Sequence, residues 1–216
     1  MNPPAHDMTA PDPQDPVFQA RGLAFTFAGA SAPLFQGLDL YLRPGLTLLQ
    51  GGDGSGKTTL LRIVAGVLVP TAGQVLRCPP SLYADDATDA ADDAVTAHDW
   101  LAARRARHAG WQPTAEQALV EGFALAEHLG KRLEMLSTGS RRKVGLVAAG
   151  ASGAALTLLD NPFAALDAPS SRCLAALLTQ AARGERRAWL VADYGRPPLL
   201  AGVPLAAVLD LDQPAR

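Results

Sequence analysis

The stretch Gly51-Gly52-Asp53-Gly54-Ser55-Gly56-Lys57-Thr58-Thr59 constrains this chain more than any other. It fits G-x-x-x-x-G-K-[ST], a phosphate-binding loop that needs a strand before it and a helix after it. Both flanks comply. Leu46-Thr47-Leu48-Leu49-Gln50 reads as a short buried strand, and from Leu60 to Leu68 the apolar residues fall at helical spacing. The glycines let backbone N–H groups turn toward a polyphosphate, and the helix N-terminus adds the positive end of its dipole. Lys57 is placed to reach the β- and γ-phosphates, and the Thr58 hydroxyl to ligate Mg²⁺.

A chain of 216 residues can build one full core with a small appended lobe. Its formal charge of −2 gives no general attraction to nucleic acid. No apolar run approaches the roughly 20 residues that span a bilayer, and the first residues lack the basic and apolar parts of a secretory signal, so a soluble cytoplasmic protein is expected. Cys78 and Cys173 stand in no metal-ligand spacing, and His6, His98, His108 and His128 form no compact cluster.

Residues 1–16 are rich in proline with little to bury, which predicts a disordered tail before a domain spanning 17–212. Leu23–Phe27 and Leu38–Leu42 read as two strands, antiparallel in the simplest arrangement, with Gln74–Arg77 as another. From about 86 to 135 the texture changes. Asp85-Asp86-Ala87-Thr88-Asp89-Ala90-Ala91-Asp92-Asp93 reads as a solvated loop rather than a metal site, and two or three helices containing Trp100 and Trp111 follow it. Leu136-Ser137-Thr138-Gly139-Ser140 then opens a helix, Ala155–Asp160 is a central strand, Pro169 starts a helix, and Ala188–Ala192 and Leu205–Leu211 are further strands. The expected fold is α/β: a phosphate-loop NTPase core with a parallel sheet, an antiparallel β subdomain and an inserted α-helical lobe.

Asp160 ends its apolar strand, where a phosphate loop needs a carboxylate to complete a Mg²⁺ shell. At this point the sequence resembles the nucleotide-binding subunit of an ABC transporter, from about Leu23 to Asp193, and in particular compact single-domain subunits such as the haem-exporter ATPase. Gly51–Thr59 matches that family's Walker A loop and Ala155–Asp160 its Walker B strand. Leu136–Ser140 matches the signature L-S-G-G-Q, departing at Thr138 and Ser140, and Ala165-Leu166-Asp167 matches the loop after Walker B. The resemblance implies that Phe27 stacks on adenine. It also implies that Ser137 and Gly139 hold the γ-phosphate of ATP bound to a second subunit, so that two such domains close head to tail around two nucleotides.

Three departures bear on turnover. The resemblance places a glutamate after Asp160 to polarise the attacking water, and here Asn161 stands there. An amide orients water but cannot take its proton, and general-base assistance is worth roughly 10²–10⁴ in rate. The family's histidine after the strand Ala188–Ala192 is replaced by Asp193 and Tyr194, and no histidine follows His128. The family's glutamine near 84–87 is also missing; Asp85 or Asp86 takes its place as a candidate Mg²⁺ ligand. These changes imply intact ATP binding with impaired hydrolysis, in which Lys57, Asp160, Asn161 and Asp193 are the catalytic candidates.

The resemblance implies a transporter ATPase that dimerises on ATP and drives a separate membrane permease from the cytoplasmic face of the inner membrane. The alternative is a degenerate subunit that regulates, or completes the site of, a second ATPase subunit. A soluble ABC protein of repair or translation fits less well, since those carry paired domains or a long coiled-coil insertion.

Overall fold

The structure is a computed structural model and describes residues 15–84 and 86–212. The expected tail therefore lies outside the described residues except for Asp15 and Pro16.

Among the described residues, eight strands form two sheets. β1 (Phe18–Phe25), β2 (Phe35–Leu42) and β4 (Ala72–Arg77) make an antiparallel sheet in the order β2-β1-β4. β3 (Gly45–Gln50), β5 (Leu82–Tyr83), β6 (Leu156–Asp160), β7 (Ala188–Asp193) and β8 (Ala207–Asp210) make a parallel sheet in the order β5-β6-β7-β3-β8. The antiparallel pairing of β1 and β2 agrees with expectation, though both strands start earlier than their alternation suggested. β5 has only two residues and left no periodic signal.

β3, β6 and β7 are mostly apolar because both faces of the sheet are covered there. Period-two alternation divides their side chains between two cores. Leu156, Leu158, Leu190 and Leu49 face Leu60 and Ile63 of α1 (Lys57–Val64) and the inner side of the antiparallel sheet. Leu46, Leu48, Leu159, Trp189 and Val191 face the opposite layer, which includes α4 (Thr138–Ala151) and α5 (Ala168–Ala182). Fully burying one such leucine contributes roughly 1.5–3 kcal/mol.

α1 stops at Val64 rather than continuing to Leu68. Gly66 takes a left-handed φ of 73° and its N–H bonds back to the Ile63 carbonyl, closing the helix end. Between the sheet's two halves lie α2 (Ala97–Arg107) and α3 (Pro113–Gly122), with a 3-10 turn at Ala90–Asp92 before them and others after. α2 starts where the Thr96 hydroxyl accepts from the Asp99 N–H, and α3 starts at a proline, which needs no N–H partner there.

The acidic run is exposed at Asp86, Asp89, Ala90 and Ala91, as a solvated loop would be, but Asp92 and Asp93 are tied to later helices. Asp92 accepts from Trp100 Nε1 at 2.6 Å and from Arg104 at 2.9 Å, and the Arg104 guanidinium lies 3.8 Å over the buried Trp100 ring. Arg141 of α4 donates to the carbonyls of Ala87 and Asp89 and to the Asp93 carboxylate at 2.7 Å. The run looked soluble because its partners, Trp100, Arg104 and Arg141, lie in two later helices.

Candidate nucleotide-binding site

Parallel register brings the carboxyl ends of four strands to one edge: Gln50 of β3 stands beside Asp193 of β7 and Asp210 of β8, and Asp160 of β6 beside Ala192. Open α/β sheets place their ligands at this edge. The loop after β3 turns back into α1 through Gly56, whose φ of 100° suits glycine and whose missing Cβ would fall 2.8 Å from Leu34. No side chain caps α1, so its first N–H groups face the loop's concavity.

Lys57 folds over the loop and donates to the carbonyls of Gly51 at 2.7 Å and Gly52 at 2.8 Å. The Gly52 N–H donates to the Asp212 carboxylate at 2.7 Å, just beyond β8, and Gln50 donates to Asp210 at 3.0 Å. Ser55 Oγ is buried with no hydrogen-bond partner among the described residues.

Thr58 and Asp160 are brought together from opposite sides of the chain. The Thr58 hydroxyl donates to Asp160 Oδ2 at 2.6 Å. Two oxygens converging beside a phosphate loop are the donor set a hard cation such as Mg²⁺ takes, with phosphate and water completing the shell. Asp85 lies outside the described residues. Asp86 lines the same cavity as Thr58 and Asp160, and its carboxylate accepts from the N–H and hydroxyl of Thr88. Among the described residues no group of three or more His, Cys, Asp or Glu side chains gathers into a metal cluster.

Asn161 follows Asp160 with φ 49°, a left-handed conformation that Asn tolerates better than most residues. Its N–H donates to the Ala192 carbonyl at 2.9 Å. Its own carbonyl accepts from Arg142 of α4, whose Nη1 also lies 3.4 Å from the Asp160 carbonyl. Partial burial raises the Asp193 carboxyl above its ordinary pKa, as does the Asp160 charge; the Tyr194 N–H and the Lys57 charge oppose the rise. Tyr194 lays its ring 4.9 Å from Lys57 Nζ. The nearby Asp53 carboxylate raises the phenol's pKa.

Ser137 is the N-cap of α4, its hydroxyl accepting from the Ser140 N–H at 3.1 Å. Gly139 is tightly packed, since a Cβ there would lie 2.4 Å from the Ala165 carbonyl. The signature is thereby set against the loop after β6, rather than against this chain's own phosphate loop. Asp167 of that loop caps α5 and pairs with Lys143 of α4 at 2.8 Å; the lysine first, then Ser170, hold its carboxyl well below the usual range. Phe27 is half-exposed and meets Phe25 edge-on at 5.0 Å, leaving a face of its ring open to solvent. A cavity of about 450 Å³ runs from Thr58 and Asp160 past Arg142 to Asp86, Asp89 and Asp92.

Sequence reasoning missed the parts of this site that hold others in place. Arg142 and Lys143 stood in a basic run whose targets lie beyond it, and nothing near Asp212 ties it to Gly52. Among the described residues no helix is long and apolar enough to cross a membrane.

Residues 35–164 match the ABC transporter family. The chain is 35% identical over 173 residues to the zinc import ATP-binding protein ZnuC of Halorhodospira halophila, covering 76% of this chain and 62% of that protein. It is 33% identical over 180 residues to the cytochrome c biogenesis ATP-binding export protein CcmA of Cupriavidus pinatubonensis, covering 76% and 78%. Among solved structures, a dimeric bacterial ABC transporter cassette superimposes with a TM-score of 0.73 at 16% identity, covering 92% of this chain and 97% of the other, which supports the fold. The strand–loop–helix geometry, the Thr58–Asp160 convergence and these matches agree: the chain belongs to the ABC transporter family, as its ATP-binding subunit.

Proposed function

We propose that the chain holds ATP with Mg²⁺ at Gly51–Thr59, closes on a second ATP-binding subunit when ATP is bound, and drives a separate membrane permease from the cytoplasmic face while hydrolysing ATP slowly. In this reading Lys57 and the loop N–H groups hold the phosphates, and Phe27 lies under the adenine. Thr58 and Asp160 hold the Mg²⁺, which supplies charge neutralisation at the β- and γ-phosphates. Ser137 and Gly139, at the outward N-terminus of α4, serve the nucleotide of the opposite subunit. The cavity beside Asp86 and Asp92 receives part of the permease. The relatives' names speak of zinc import and of cytochrome c biogenesis export, so neither cargo nor direction is carried over.

One observation carries the slow-turnover claim: the residue following the Mg²⁺ carboxylate is an amide. Asn161 can hold a water but leaves its proton without an acceptor. Asp193, at the end of a different strand, is another carboxyl at this edge. Steady-state ATPase of the purified protein, alone and as Asn161→Glu, tests the reading. The expected wild-type rate lies below about 0.1 s⁻¹, and the substitution raises it at least tenfold. A wild-type rate of tens per second would sink the claim. Glutamate at φ 49° costs about 1 kcal/mol of stability, so rates are compared on protein shown to be folded.

A second reading rests on the contrast between Asn161 and the well-formed signature. Because Ser137 and Gly139 would serve a partner's nucleotide, a chain weak in its own hydrolysis can complete the site of a competent second subunit. Mixing with such a subunit and finding one productive site per pair, lost on Ser137→Ala, would favour it.

A further inference from the structure

An ammonium group has three N–H donors and no acceptor. Two of those of Lys57 are engaged by the Gly51 and Gly52 carbonyls, at 2.7 and 2.8 Å. The Tyr194 ring covers another side of the same ammonium, its centroid 4.9 Å from Nζ. Tyr194 is 57% exposed, so core packing does not fix its ring there. Its side chain turns to the phosphate loop, the ring against Lys57 and the hydroxyl on the side of the Asp53 carboxylate, while its N–H donates to Asp193 at 2.8 Å. Asp53 and Lys57 lie on either side of the turn through Gly54 and Gly56, so one side chain from the end of β7 straps both limbs of the loop.

We propose that Tyr194 is a positioning residue that acts through Lys57, holding the ammonium on the loop's own carbonyls until a polyphosphate displaces the ring. This rests on the reading that Gly51–Thr59 takes the phosphates of ATP. A ring face attracts a cation weakly, through its quadrupole, whereas a phosphate oxygen attracts it as a full opposite charge. Both cannot occupy the same side of one ammonium. The phosphate wins, but the free energy of the ring contact is subtracted from binding. Tyr194 therefore weakens the affinity for polyphosphate and leaves untouched any part of the ligand that does not reach Lys57. Its half-exposed ring has open solvent to swing into.

Calorimetric titration of the full chain with ATP, ADP and adenosine tests this. Tyr194→Ala removes the ring from Lys57 and is expected to tighten ATP and ADP binding about three- to tenfold, with adenosine unchanged. Tyr194→Phe keeps the ring over Lys57 and loses only the hydroxyl, so its ATP affinity is expected to return to within about twofold of wild type. Weaker or unchanged ATP binding in Tyr194→Ala overturns the proposal, because the ring would then serve the bound nucleotide or nothing. An equal shift for adenosine also overturns it, since the effect would then be on the base site or the fold. Failure of wild type to bind ATP removes the functional reading itself. An ATPase rate of tens per second with the expected affinities would remove only the slow-turnover claim.

Discussion

The loops after β3 and β6 stand at the same edge of one sheet and are built in opposite ways. The first is largely self-contained: Lys57 reaches back across it to the carbonyls of Gly51 and Gly52, and its shape follows from glycines within nine residues. The second is held from outside. Asn161 sits in a left-handed conformation with its carbonyl bonded to Arg142, a residue of α4, and its N–H bonded to β7. The first loop makes its main clasp itself, with Asp212 added from beyond β8, whereas the second borrows its clasp from α4 and β7. The conformation at Asn161 is therefore open to influence from α4, and through Arg141 on the same helix from the acidic segment near Asp93.

That contrast can be broken at four points, the largest first. Lys57→Ala removes charge-assisted bonds to phosphate and the internal clasp together; ATP binding is expected to weaken roughly 10- to 100-fold by calorimetry. If affinity survives, the first loop does not depend on its own clasp. Arg142→Ala deprives the Asn161 carbonyl of its donor, and a loss of about 1–3 kcal/mol is expected, seen as a fall of roughly 2–10 °C in Tm. An unchanged Tm would mean the second loop supports itself. Asn161→Val puts a β-branched residue into a left-handed backbone and should cost roughly 1–2 kcal/mol, while Asn161→Gly should stay within about 0.5 kcal/mol in denaturant unfolding. Equal effects would show that the conformation at Asn161 is not held.

The smallest effect concerns Asp167. Its folded pKa is depressed, by Lys143 foremost, so the pair's stabilising contribution is complete above the ordinary carboxyl value near 4 and is lost as pH falls through the lower folded value. Lys143→Ala should move the Asp167 titration upward by carboxyl NMR and flatten the acid branch of the stability curve. No movement would mean that Ser170 alone holds the carboxylate.

The same contrast governs what could be read in advance. The sequence Gly51–Thr59 and its flanking strand and helix are local, and the uniform apolarity of β6 and β7 announces strands buried on both faces. Asp160 could be found because strand ends are where such carboxylates are needed. Three things were not legible. The acidic run resembled a solvated loop because Arg104, Arg141 and Trp100 are remote in sequence. Composition gives no hint that Asn161 has a positive φ, which is imposed by Arg142 and β7 together. The end of α1 was set by Gly66 turning left-handed, a geometry that competed with an apolar period running on through Val67 and Leu68.

The strand order also dictates when this protein can first hold a nucleotide. β3 lies between β7 and β8, strands translated long after it, and the Gly52 N–H is taken up by Asp212, 160 positions downstream. A nascent chain that has emerged only through β6 carries the whole phosphate-loop sequence but neither neighbour of the strand that presents it. During synthesis the site is closed only when β7 and β8 join β3, so ATP would reward the assembled sheet rather than seed it.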